Sequence, residues 1–198
     1  MRKLKLQVQL SVDGYVAGPA GEMDWMTWNW DEELKKFVND LTSTVDCIVM
    51  GSNLAKGFIP HWARVAANPN DAEYAFGKIM HETPKVVFST QMKQSNLDAE
   101  GWSNTTLNNA NLQTGINGLK SQSRSLSGGK DIIVYGGATF VSNLIDQNLI
   151  DEFYLFINPS AIGKGMKIFN GRTNLKLEKA LPFSCGITVM KYQPSKAN

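Results

Sequence analysis

The run Ile132-Ile133-Val134-Tyr135-Gly136-Gly137-Ala138-Thr139-Phe140 constrains the fold more than any other stretch. Consecutive β-branched and aromatic residues from Ile132 to Tyr135 suit a short strand covered on both faces. Two glycines follow, and a backbone without Cβ can turn sharply and approach a ligand closely. From Ala138 onward, Phe140, Val141, Leu144 and Ile145 recur at helical spacing. A strand that enters a helix through a glycine turn points unpaired N–H groups and the positive dipole end at one spot, which suits a phosphate or pyrophosphate. The same residues also suit a plain tight strand-to-helix turn, so the motif by itself leaves both readings open.

The rest of the chain supplies a context for that motif. Leu4, Leu6, Val8, Leu10 and Val12 alternate with polar residues, which predicts a strand over 4–12 with one dry face. Asp13-Gly14 breaks it, and a loop carrying Trp25, Trp28 and Trp30 follows; these rings either line a pocket or roof the core. Asn29 with Glu32 reads as a helix start, and Leu34, Phe37, Val38 and Leu41 as the apolar stripe of that helix. Asp46 to Met50 reads as a buried strand ending at Gly51-Ser52, and residues 57–70 as an irregular loop carrying Trp62. Asp71 to Glu82 reads as a helix with Ala72, Ala75, Phe76, Ile79 and Met80 inward. Lys85 to Ser89 and Trp102 to Leu107 read as strands, Leu112 to Leu119 as a helix weakened by glycines, and Ser125 to Gly129 as a polar loop. Glu152 to Ile157 is a strand stopped by Asn158-Pro159, Gly163-Lys164-Gly165 a structural turn, and 175–180 with 186–193 an antiparallel hairpin. Strands alternating with helices imply an α/β domain on a mostly parallel sheet, where ligands lie beyond the carboxyl ends of the strands. Gly51-Ser52, Ser89-Thr90 and Gly136-Gly137 are three such strand ends.

Composition removes other classes. With 198 residues and 42% hydrophobic content the chain has material for a sizeable core. A net charge of +2 without a Lys/Arg cluster argues against nucleic acid, and no apolar run approaches the ~18 residues of a membrane span. The N-terminus lacks a signal-peptide core, so a cytoplasmic location is expected. Cys47, Cys185, His61 and His81 are too scattered for a zinc site, and no metal is expected.

Segments in this order resemble a known superfamily. Ser11-Val12-Asp13-Gly14-Tyr15-Val16-Ala17, Val49-Met50-Gly51, Lys85-Val86-Val87-Phe88-Ser89 and Val134-Tyr135-Gly136-Gly137-Ala138 are similar to segments of dihydrofolate-reductase-like proteins. Leu149-Ile150-Asp151-Glu152 and Pro159-Ser160-Ala161-Ile162-Gly163-Lys164-Gly165-Met166-Lys167-Ile168-Phe169 resemble the C-terminal reductase domain of the bifunctional riboflavin-biosynthesis deaminase/reductase. The resemblance implies one α/β domain over 1–198, with a mostly parallel twisted sheet, helices on both faces and an antiparallel C-terminal hairpin. It further implies a homodimer, NADPH or NADH as cofactor, and a small pyrimidine- or pterin-like substrate. Gly136, Gly137, Ala138, Thr139 and Phe140 then hold the pyrophosphate, with Gly51 and Ser52 at the next helix start and Ser89 and Thr90 near the adenosine ribose. Relatives commonly carry arginine where this chain has Ser52 and Thr90, which implies a weakened hold on a 2′-phosphate.

On the substrate side, Glu33-Leu34-Lys35-Lys36-Phe37 fits the acid, Leu, Phe pattern of dihydrofolate reductases. The resemblance makes Glu33 and Asp13 catalytic candidates, and Trp25 and Phe37 substrate-binding ones. Glu33 is equally suited to a solvated first-turn acid, and Asp13 suits a turn former better than a catalytic role. The implied reaction reduces the ribose of a phosphoribosylaminouracil to a ribityl chain. Rivals are dihydrofolate reduction and a nucleotide-sensing module without turnover. The His-x-Glu and Pro-Cys-x-x-Cys of zinc deaminases are missing, so no deaminase activity is expected.

Overall fold

The structure is a computed structural model that describes residues 1–122 and 129–195. Eight strands form one sheet in the order β4-β3-β2-β5-β1-β6-β8-β7. They are β1 (Leu4–Leu10), β2 (Val45–Gly51), β3 (Lys85–Phe88), β4 (Thr105–Asn108), β5 (Asp131–Val134), β6 (Glu152–Ile157), β7 (Leu175–Pro182) and β8 (Thr188–Pro194). The pairs β1–β6, β2–β3 and β3–β4 are parallel, whereas β6–β8 and β7–β8 are antiparallel. The helices are α1 (Glu32–Ser43), α2 (Ser52–Ala66), α3 (Tyr74–Glu82), α4 (Gln94–Ala99), α5 (Leu112–Ser121) and α6 (Ala138–Asp146). This is the expected α/β class, with a mostly parallel sheet and an antiparallel C-terminal hairpin. Residues Met1–Arg2 with Val45–Ile132 form one compact unit, and Lys3–Thr44 with Ile133–Asn198 another.

In the second of these, β1 departs from the expected one-sided strand. It ends at Leu10, Val12 is 63% exposed, and both faces of the strand are dry, because Lys5 and Gln7 are buried along with Leu4, Leu6 and Val8. Buried Lys5 and half-buried Gln9 both reach partners on other segments. Lys5 Nζ donates to Thr44 Oγ1 at 2.7 Å, and Gln9 Oε1 accepts from Asn158 Nδ2 at 2.7 Å. The helix start at Asn29 is also corrected, to Asp31. One Asp31 oxygen accepts from the Leu34 N–H, which satisfies a first-turn donor; the other accepts from Ser184 Oγ and the Cys185 N–H. These bonds, the Leu34 one foremost, hold the carboxyl down at about 2. Phe37 of α1 lies 6.3 Å from the Tyr154 ring and 6.1 Å from that of Phe156. Ile145 of α6 instead lines a cavity with Phe153, which points the opposite way along β6, so α1 and α6 cover opposite faces.

The unit around β2 and β3 contains the largest difference from the sequence reading. Residues 57–66 are not loop but the body of α2, with Pro60 inside it. An interior proline costs roughly 3 kcal/mol in an isolated helix, and burial of Ala55, Ile59 and Val65 offsets it here. Trp62 sits T-shaped on Phe76 of α3 at 5.3 Å. Gly77 lets α3 come close, because a Cβ there would lie 2.5 Å from Val65 Cγ1. Helix α3 begins at Tyr74 and buries Met80, while Ala72, Ala75 and Ile79 face outward. Helix α4 had no counterpart in the sequence reading, and the fourth strand starts at Thr105 rather than Trp102. Helix α5 turns its Gly115 toward Phe88, and the polar loop read at 125–129 lies, apart from Gly129, outside the described residues.

Lys85 is the largest fully buried side chain among the described residues of this unit, 1% exposed. Its Nζ donates to the carbonyls of His81 and Thr83 at 2.7 and 2.8 Å, serving the C-terminal end of α3. Burial lowers its pKa from 10.5 to about 8. Between those values the unfolded chain binds more protons than the folded one, so stability rises with pH. Cys47, whose thiol burial pushes up to about 11, acts in the opposite direction above about 9. Stability is therefore expected to increase from pH 8 to pH 9 by up to about 1 kcal/mol. Urea midpoints at the two pH values measure this, and Lys85→Met should flatten the rise.

Candidate functional site

The glycine turn between β5 and α6 has the geometry its sequence promised. Gly136 has φ +147°, and a Cβ there would meet nothing within 4 Å, so the space before it is open. Gly137 is the N-cap of α6 at φ +85° and ψ +96°, in the left-handed region that glycine alone enters without cost. A glycine N-cap has no side-chain oxygen to give the first-turn amides of Ala138 and Thr139. Buried Val141, Leu144 and Ile145 hold the helix against the core. Just upstream, burial pushes the Tyr135 hydroxyl up to about 12, with nearby Thr42 acting weakly in the opposite direction, so it stays protonated. An open approach, an uncapped helix start and a dry floor fit a pyrophosphate.

The other candidate strand ends lie in the unit around β2 and β3. Gly51 ends β2 and caps α2 without a side-chain hydrogen bond, and Ser52 is the first helical residue. Ser89 follows β3, and its Oγ is engaged within its own turn, accepting from the Gln91 and Met92 N–H groups at 3.3 and 3.1 Å. Thr90 is exposed. Asn109, which the sequence did not single out, donates through Nδ2 to the carbonyls of Ser89 and Met92 and shapes that turn.

The substrate-side candidates separate into different environments. Glu33 is exposed in the first turn of α1. Phe37 belongs to an aromatic cluster with Tyr154, Phe156 and Phe183, and Trp30 joins it through Phe156 at 6.3 Å. Trp25 stays outside the cluster and donates its indole N–H to the Glu22 carbonyl at 3.1 Å. The Asp13 carboxylate accepts from Ser11 Oγ at 2.6 Å, the Ile162 N–H at 3.1 Å and the Gly163 N–H at 2.7 Å. Sequence reasoning missed Asn158, which is fully buried after β6. Its Oδ1 accepts from the Thr27 N–H at 2.9 Å and its Nδ2 donates to Gln9, so it ties the tryptophan loop to the sheet. The one available signal is an asparagine at the end of a buried strand, a pattern that by itself marks only a stop.

Residues 2–189 match the family model described as the RibD C-terminal domain. The chain belongs to the RibD C-terminal domain family. Among relatives, YyaP of Bacillus subtilis, described as an uncharacterized protein, is 31% identical over 195 residues, covering 96% of this chain and 94% of that one. YwjB of the same organism, also described as uncharacterized, is 25% identical over 178 residues, covering 87% and 86%. Among solved structures, a putative riboflavin biosynthesis protein from Shewanella sp. PV-4 superposes with TM-score 0.67 at 22% identity, over 99% of this chain and all of that one. A Thermotoga maritima diaminohydroxyphosphoribosylaminopyrimidine deaminase/5-amino-6-(5-phosphoribosylamino)uracil reductase gives TM-score 0.64 at 16% identity, and the match spans 98% of this chain and 57% of that protein. These structural likenesses establish the RibD-type reductase fold. Among the described residues no helix is long and apolar enough to cross a membrane, and no group of three metal-ligating side chains occurs.

Proposed function

We propose that this RibD C-terminal domain protein is a nicotinamide-dependent reductase acting on a phosphoribosylaminouracil-like molecule, with the whole chain working as one domain and pairing into a homodimer. The observation that carries the reading is the open, uncapped start of α6 behind two positive-φ glycines, in a chain of this family. Gly136, Gly137, Ala138, Thr139 and Phe140 would hold the pyrophosphate by backbone N–H groups and the helix dipole. Gly51 and Ser52, together with Ser89 and Thr90, are assigned to the remainder of the dinucleotide. The cofactor, when bound, supplies the hydride. The chain's own contribution is to orient and to exclude water, and Trp25 and Glu33 are assigned to the substrate side. Membership of the RibD C-terminal domain family favours the riboflavin-type substrate over dihydrofolate.

Cofactor preference tests the reading. A 2′-phosphate is usually met by the planar fork of arginine. At the two assigned positions this chain has Ser52 and Thr90. Hydrogen bonds to charged groups contribute about 1.5–3 kcal/mol and neutral ones about 0.5–1.5, so two such losses cut NADPH preference by roughly tens-fold. A weak NADPH-over-NADH preference is expected, and Ser52→Arg with Thr90→Arg should strengthen NADPH binding selectively. Titration of both cofactors at one salt concentration, read by tryptophan fluorescence, measures it. Binding of neither cofactor would overturn the reductase reading in favour of a module that keeps the fold without turnover. A wild-type ratio in the hundreds would move the phosphate grip to other residues.

A further inference from the structure

The parallel neighbours β1 and β6 each run into a long loop, and a side chain joins the two loops. Residues 11–31 follow β1 and carry Trp25, and residues 158–174 follow β6 and carry Gly163 to Lys167. Consecutive N–H groups of Ile162 and Gly163, the latter at φ +74°, form a concave anion-binding nest. The chain fills that nest with its own Asp13 carboxylate. No lysine or arginine pairs with Asp13 among the described residues, so backbone donors and the Ser11 hydroxyl carry its charge.

Backbone bonds surround this contact. Val12 N–H donates to the Ser160 carbonyl at 2.8 Å, Val16 N–H to the Met166 carbonyl at 2.9 Å, and Met166 N–H to the Ala17 carbonyl at 2.8 Å. The approach is so close that a Cβ on Gly165 would lie 2.2 Å from the Ala17 oxygen. Further along, Asn158 holds Thr27. The segment bearing Trp25 is thus suspended between two anchors, Asp13 on one side and Asn158 on the other.

We propose that Asp13 is a positioning residue whose carboxylate, seated in the Ile162–Gly163 nest, locks the loop after β1 to the loop after β6 as one unit. The consequence for substrate binding rests on the reductase reading; the lock itself does not. Asp13 is unsuited to a proton-donating role. Its carboxyl lies below the usual range, the Ser11 hydroxyl being the largest cause, and an ionised carboxylate has no proton to give.

Hydrogen exchange on the full chain tests the lock with Asp13→Ala and Asp13→Asn. In Asp13→Ala the amides of Val12, Val16, Ile162, Gly163 and Met166 should exchange faster together, by about tenfold or more, since each 1.4 kcal/mol of lost protection is tenfold. Asp13→Asn, which keeps one acceptor oxygen, should show a smaller change at the same amides. Thr27, held by Asn158, and the amides of β5 should stay protected. Acceleration confined to Ile162 and Gly163 would overturn the proposal and leave Asp13 a local turn former. The kinetic arm uses NADPH with 5-amino-6-(5-phosphoribosylamino)uracil. KM for the pyrimidine should rise about tenfold in Asp13→Ala, while the NADPH dissociation constant and the shape of the kcat–pH profile are retained. Loss of a limb of that profile in Asp13→Asn would overturn the positioning role in favour of proton transfer. A wild-type protein that binds no cofactor refutes the reductase reading, and the exchange comparison still decides the lock.

Discussion

Gly137→Val is expected to abolish binding of NADPH and NADH, by more than about a hundredfold, while the chain stays folded. The position sits at φ +85°, where a β-branched residue pays roughly 1–3 kcal/mol of backbone strain. The backbone can relieve that strain by rotating out of the left-handed region. The rotation re-aims the first N–H groups of α6, which are the proposed grip on the pyrophosphate. A fold anchored by buried Val141, Leu144 and Ile145 can bear the strain; a site made of backbone donors cannot bear the rotation. A milder loss is expected for Gly137→Ala. Circular dichroism checks the fold, and a fluorescence titration checks the binding. A folded Gly137→Val protein with wild-type affinity for both cofactors places the dinucleotide elsewhere.

Phe156→Ala is expected to give the largest loss of stability, about 3–5 kcal/mol. Phe156 is fully buried in β6 and contacts Trp30 and Phe37 at ring distances of 6.3 and 6.1 Å. Removing the ring leaves a cavity beneath α1 and takes away the surface on which the end of the tryptophan loop rests. For a chain of this size each kcal/mol corresponds to roughly 2–4 °C, so a fall in Tm of about 6–20 °C is expected. Calorimetry on the two proteins measures it. A fall under a few degrees would mean that Phe37 and Trp30 collapse into the space.

Much of the architecture was legible from local pattern. The strand, glycine pair and helix from Asp131 to Asp146 stand where periodicity put them, and so does the hairpin of β7 and β8. In both cases the signal and its cause are neighbours in the chain: a switch of hydrophobic period, and glycines whose torsions no other residue tolerates. The α/β class and the order of the strand ends followed from the same short-range information, as did the family resemblance.

Several of the differences trace to partners outside the local stretch. Alternation in β1 looked like one wet face, yet Lys5 is buried with its ammonium answered by Thr44, and half-buried Gln9 is held by Asn158. The sequence offered Asn29 as the cap of α1, whereas Asp31 takes that place, its second oxygen accepting from Ser184 and Cys185 far along the chain. Residues 57–70 read as an irregular loop, yet 57–66 are helical, Pro60 included, because α2 packs on α3. Asp13 could be placed in a turn by its neighbours, but its bonds to Ile162 and Gly163 arise only when β1 and β6 lie side by side. Short-range pattern determines which segments can be strands and helices and where glycine must turn the chain. Which polar groups are buried, and what each one holds, depends on donors and acceptors that meet only after those segments have packed.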